Sequence, residues 1–234
     1  AALSFVAGHP LVAICAGRTD SGVHALGQVI HFDTDAVRTP RAWVLGANTK
    51  LAPDIALRWA GEVGAGFHAR HRAIRRTYHY CILNRSERSA LHRLRAAWIH
   101  RPLDAAAMHA AAQVLVGEHD FSAFRSVECQ SKTPVRRVER VQVRREGDYL
   151  WLEIAANAYL HHMVRNIVGT LIALQGEADP AAAMAEVLGA GKRRLAGATA
   201  PAAGLYLWQV EYPPAYGIPT PAPGLLLPPA GRLG

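Results

Sequence analysis

A carboxylate in a short, glycine-flanked loop is the group in this sequence with most capacity for chemistry: Gly17-Arg18-Thr19-Asp20-Ser21-Gly22-Val23-His24. The two glycines let the backbone turn tightly, and a loop carried by rigid elements is the usual address of a reacting group. An ionised Asp there can act as a nucleophile, remove a proton or stabilise a developing cation. The same residues also suit a plain tight turn in which Asp20 bonds its own backbone. Arg18 offers donors to a phosphate, against the ordinary alternative of a solvated loop arginine. His24 beside Asp20 would suit a metal-dependent hydrolase. His161 and His162 also suggest a metal, but neighbours on a helix point about 100° apart and no third ligand stands at a zinc-like spacing, so no metal site is expected.

The elements that must hold this loop can be read on either side of it. Leu11 to Ala16 is a short apolar run and Gly27 to Asp33 alternates, so two strands are predicted to flank Gly17 to Leu26. Thr39-Pro40 has the chemistry of a helix start, for a helix carrying Trp43, Val44 and Ala47. Arg76 to Leu83 reads as a strand with Tyr78, Tyr80 and Ile82 on one face. Asp104 caps a helix running through Val116 to Gly117. Val138 to Arg144 and Tyr149 to Ala156 are strands joined by the hairpin residues Glu146-Gly147-Asp148. From Leu160, the residues Met163, Val164, Ile167, Val168, Leu171 and Ile172 follow helical spacing. Asp179-Pro180 opens another helix that Gly189 ends, and Leu205 to Tyr212 is a closing strand.

Half of the 234 residues are hydrophobic, which excludes a mainly disordered chain and allows one large core or two small ones. The net charge of +8 suits a polyanionic partner. Arg70, Arg72, Arg75 and Arg76, interleaved with Tyr78 and Tyr80, resemble a basic and aromatic RNA-facing surface to which Arg136, Arg137 and Arg140 could add, although such charge runs equally suit a solvated face. Cys15, Cys81 and Cys129 stand apart, so neither a thiol metal knuckle nor a disulfide framework is expected, and a reducing cytoplasm fits. No apolar run has the length of a membrane span and no secretion signal is evident. Hairpin signals recur and no glycine-rich phosphate loop follows a strand, so the expected class is α+β with antiparallel sheets rather than a doubly wound nucleotide fold.

Gly17 to Phe32, GRTDSGVHALGQVIHF, resembles the signature of the tRNA pseudouridine synthase A family, which isomerises uridine in the anticodon stem-loop. The likeness continues in order through Ala47-Asn48, Leu51 to Ile55, Phe67 to Arg70, Arg76 to Tyr80, His119 to Phe121, Cys129-Gln130, Ala158 to Gly169, and Ala200-Pro201 with Gly204 to Leu207. It therefore covers most of the chain. The resemblance implies Asp20 as essential carboxylate, Arg165 as its partner and Tyr78 as the active-site aromatic that stacks on a flipped base. It further implies substrate contacts from Arg18, Thr19, His24 and Arg76, a homodimer bridged by tRNA, target uridines at positions 38–40, and no cofactor. Helical spacing alone puts Arg165 about 120° from the centre of the apolar stripe, at its edge. There it could reach a cleft or keep its head in solvent. Tyr78 in an alternating strand could equally be packing.

The implied fold is that of pseudouridine synthases, two lobes sharing an extended antiparallel sheet flanked by helices. Residues 1–102 would form an N-terminal lobe with the Asp20 loop, 103–212 a C-terminal lobe, and 213–234 a Pro-rich tail. The family begins with a further strand upstream of Ala1, so the chain reads as N-terminally incomplete and a missing strand would leave an open edge. Ala198 stands where relatives often carry Pro. The rival from another class is an RNA-binding protein without catalysis, which would keep the arginines and have no use for Asp20.

Overall fold

The computed structural model describes residues 1–219, and the tail expected from 213 lies outside the described residues from 220 onward. The chain divides into two compact units, Ala1–Arg18 with Gln28–Ile74 and Glu211–Pro219, and Thr19–Gly27 with Arg75–Val210.

In the first unit, β1 (Ile14–Cys15) pairs antiparallel with β3 (Ile30–His31). Helix α1 (Ala2–Ala7) lies against α2 (Pro40–Asn48), close enough for Val6 to meet Gly46. Helix α2 begins as its sequence predicts: the Thr39 side chain accepts the Ala42 amide, and Pro40 at the first turn forfeits only a donor that the helix cannot use. Phe67 and Tyr212 meet at 5.1 Å, and the Tyr212 hydroxyl donates to Ala69 O.

The second unit is built on a seven-stranded sheet. Its strands are β2 (His24–Ala25), β4 (Arg75–Asn84), β5 (Ala97–Ile99), β6 (Gly117–Asp120), β7 (Val135–Glu146), β8 (Tyr149–Ala156) and β9 (Leu205–Glu211), with β2-β9-β4-β8-β7-β6 in spatial order and β5 on β4. The β7–β8 hairpin turns at Gly147, whose φ of 58° a side chain would resist. Both faces of the sheet are buried over β4 and β8. Tyr78, Tyr80 and Ile82, with Leu152 and Ile154, face the main core under α3 (Ala105–Gln113), α4 (Met163–Ala173) and α5 (Pro180–Ala190). Cys81, Leu83 and Trp151 pack with Tyr206 in a second, smaller cluster.

The α+β class stands, with the sheet mixed rather than wholly antiparallel: β2 runs parallel to β9 and β5 parallel to β4. Hairpin geometry constrains neither pair, because each is separated by a long excursion of chain. Helix α3 ends at Gln113, before Gly117, and that glycine with φ 117° starts β6 instead. Helix α5 runs past Gly189 to a left-handed cap at Gly191. All three cysteines are free, and among the described residues no helix is long and apolar enough to cross a membrane.

Candidate active site

Asp20 sits in a turn closed by the Val23 amide on Asp20 O at 3.0 Å, with Gly22 at φ 80°. The chain leaving this turn is pinned immediately, because His24 and Ala25 pair with Tyr206 and Leu207 in β9 and the Leu26 amide donates to Leu207 O. Gly27 continues the close approach: a Cβ there would meet Trp208 O at 2.3 Å. The carboxylate is thereby carried on a loop whose downstream end is part of the sheet.

Three side chains from one stretch of chain converge on Asp20. Arg165 Nη1 donates to Asp20 Oδ2 at 3.2 Å, His162 Nε2 lies 3.0 Å from the same oxygen, and His161 Nε2 lies 3.4 Å from Oδ1. Arg165 stands on the first turn of α4, whose Met163, Val164, Ile167, Val168 and Leu171 are buried. Its side chain is 15 % exposed and points to the site from the edge of that stripe. Burial holds the pKa of His162 below 6.5, with His161 and Arg165 acting in the same direction against the pull of Asp20. At neutral pH the His162 imidazole is therefore neutral, and it can donate Nε2–H to the carboxylate without carrying charge.

A second layer fixes the guanidinium. Arg165 Nε donates to Ala200 O at 2.8 Å, and the Ala200 amide returns a bond to Arg165 O. That loop can lie so close to α4 only because Gly169 and Gly197 lack side chains; a Cβ on Gly169 would stand 1.7 Å from Ala198 O. Asn166, Thr170, Arg193 and Thr199 knit the contact: Thr199 Oγ1 donates to Asn166 Oδ1 at 2.7 Å, Arg193 Nη2 to both, and the Gly197 amide to Thr170 Oγ1. Sequence reasoning did not single out these residues, and the Gly169 pattern inside a buried helix was the available signal.

Tyr78 lies on β4 in the same unit, partly buried and edge-on to Tyr159 at 4.9 Å. Its pKa is pushed up to about 12, mainly by burial and also by the negative charge of Asp20. Arg76, two residues earlier, donates from Nη1 to Asn157 O. Thr19 is exposed on the Asp20 loop, and Arg18 is an exposed residue of the other unit. His24 is engaged away from the carboxylate: its Nε2 lies 2.7 Å from Leu94 O and its ring stacks on Tyr206.

Two expectations are corrected. Tyr80 is fully buried with its hydroxyl on Pro201 O, and Arg136 is buried against Thr133 O, Val135 O and Ser131, so neither faces RNA. The divergence expected of His161 and His162 fails because the helix starts only at Met163. Their rings lie 4.0 Å apart, and with Asp20 they place three possible metal ligands within 4.8 Å of one another.

A carboxylate held by a guanidinium and two imidazoles can present a fixed negative charge to an electron-deficient carbon. Comparison with known proteins narrows this. The family model for tRNA pseudouridine synthase matches residues 111–213. A tRNA pseudouridine synthase A of Aeromonas hydrophila is 54 % identical over 218 residues, covering 93 % of this chain and 81 % of the relative. Those of Cronobacter sakazakii and Escherichia coli are 51 % and 50 % identical over 225 residues, each covering 96 % of this chain and 83 % of the relative. Identity of this extent over more than nine-tenths of the chain means that it belongs to the tRNA pseudouridine synthase A family.

Proposed function

We propose that this protein isomerises uridine to pseudouridine in the anticodon stem-loop of tRNA, at positions 38–40, with Asp20 as the reacting carboxylate. The observation that carries the reading is the Arg165 Nη1 contact with Asp20 Oδ2 at 3.2 Å in a chain of this family. The reaction breaks the C1′–N1 bond, turns the uracil and joins C5 to C1′; C5 gives up its hydrogen as a proton and N1 takes one up. It involves neither net hydrolysis nor redox change, so its balance requires no nicotinamide and no metal.

Asp20 would meet the ribose at C1′, where it can stabilise the cation, attack it, or take a sugar proton. Arg165 keeps the carboxylate oriented and its charge balanced. Tyr78 supplies a ring for the extruded base. Because its phenol is shifted upward it works as a neutral hydroxyl, not as a phenolate base. The net positive charge supports a partner recognised by backbone and shape. Arg18, Thr19, His24 and Arg76 are the proposed contacts to the nucleotide and its phosphates, with a homodimer as the acting form and the cytoplasm as its place of action.

Tritium release from tRNA carrying C5-labelled uridine tests the reading. Release in EDTA, lost when positions 38–40 lack uridine, is expected. Binding without release would favour an inert RNA-binding protein, and chelator-sensitive turnover a metal-dependent hydrolase.

A further inference from the structure

Two turns of this chain make the same demand on the backbone. In Asp20–Val23 the third residue is Gly22 with φ 80°. In Leu160–Met163, closed by the Met163 amide on Leu160 O at 3.1 Å, the third residue is His162 with φ 61° and ψ 5°. That conformation suits glycine best; asparagine, aspartate and histidine tolerate it more readily than other residues, and any residue with a side chain adopts it at some cost in energy. Among the described residues His162 is the one non-glycine residue with positive φ. A histidine kept where a glycine would rest at ease points to a task for its ring.

The turn gives the ring that task. In a continuous helix His161 and His162 would diverge, whereas here their rings lie 4.0 Å apart and 30° from parallel, one at each oxygen of Asp20. His161 Nδ1 is buried without a hydrogen-bond partner, which leaves its Nε2 edge, toward Asp20, as the ring's polar contact. The last torsion of an Asp side chain is soft, so a carboxylate held by one guanidinium can still swivel.

We propose that His162, seconded by His161, is a positioning residue of the isomerisation: the two imidazoles grip the two oxygens of Asp20 and, with Arg165, set the plane in which the carboxylate meets the ribose. The proposal rests on Asp20 being the reacting group. An error of about 1 Å at such a group can cost on the order of 10²-fold in rate.

The test compares His162→Gly, which fits the turn without strain, and His162→Asn, which tolerates the turn and keeps an N–H donor. The expected result for His162→Gly is a kcat lower by about tenfold or more, a KM for tRNA near the wild-type value, and a melting temperature no lower than wild type. His162→Asn should recover part of the loss, and added imidazole should restore turnover to His162→Gly. A wild-type kcat in His162→Gly would overturn the proposal. So would a raised KM with kcat intact, which would make His162 an RNA contact, or a kcat loss that follows a fallen melting temperature. Asp20→Asn run in parallel separates the two claims: full activity there removes the reading of Asp20 itself, whatever His162 does.

Discussion

Arg165 reaches Asp20 across 145 positions of sequence, Nη1 to Oδ2 at 3.2 Å, while its Nε is held by Ala200 O at 2.8 Å. The two bonds use different corners of one planar fork. Lysine can supply the charge but cannot span both acceptors. Arg165→Lys is therefore expected to lower kcat/KM by about 10²-fold, some 2–3 kcal/mol, while the melting temperature moves by only a few degrees. Steady-state kinetics beside a thermal melt checks both.

The loop that orients Arg165 depends on an absent side chain. A Cβ on Gly169 would overlap Ala198 O at 1.7 Å, and both partners are backbone, so neither can swing aside. Gly169→Ala would ordinarily strengthen a helix by up to about 1 kcal/mol. Here it should destabilise by roughly 3 kcal/mol or more, a fall of about 6 °C or more in melting temperature for a chain of this size. Calorimetry decides the sign.

Tyr78 separates ring from hydroxyl. With its pKa pushed up to about 12, fewer than about one molecule in 10⁴ carries the phenolate at neutral pH. Tyr78→Phe should keep turnover within about tenfold of wild type, the worth of a single neutral hydrogen bond. Tyr78→Ala removes the ring and its contact with Tyr159, and should cost at least about 10²-fold together with some stability. Single-turnover rates on the same tRNA compare them; a Phe variant as dead as the Ala variant would require chemistry at the hydroxyl.

Glu153 predicts how stability responds to acid. Its pKa is drawn down to about 2, first by the hydrogen bond from His79 and then by Arg140. A folded value below the ordinary 4.5 means that its contribution is complete above about pH 4.5 and is lost as pH falls toward 2. Because Arg140 is largely exposed, screening reduces the contribution to on the order of 1–2 kcal/mol. Glu153→Gln should be less stable than wild type at pH 7, and the gap should close as unfolding is measured at successively lower pH.

Much of this fold is legible in local chemistry. Thr39-Pro40, Asp104 and Asp179-Pro180 each open the helix they announce, because a side-chain acceptor at a helix start answers amides that nothing else can. Gly147 marks the β7–β8 hairpin for a different local reason, a φ of 58° that suits a residue without a side chain. What escapes is set by distant partners. β2 and β5 are two and three residues long and exist because β9 and β4 offer them edges, and β6 is the polar run Gly-Glu-His-Asp. Apolar spacing placed Arg165 at the stripe's edge, but only the resemblance named Asp20 as its partner. The His161–His162 pair was hidden by the helical pattern that follows it, since a left-handed histidine one residue before a helix has no periodic signature. The closeness of Gly197 to Gly169 is likewise a property of two backbones meeting in space.

The central claim, that the Asp20 carboxylate performs the isomerisation, meets its most direct test in single-turnover tritium release by Asp20→Asn, with tRNA affinity measured in the same sample. The amide keeps the shape of the side chain and loses its charge. The account predicts that release disappears, while affinity and melting temperature stay near the wild-type values. Release at the wild-type rate from the amide variant would contradict it.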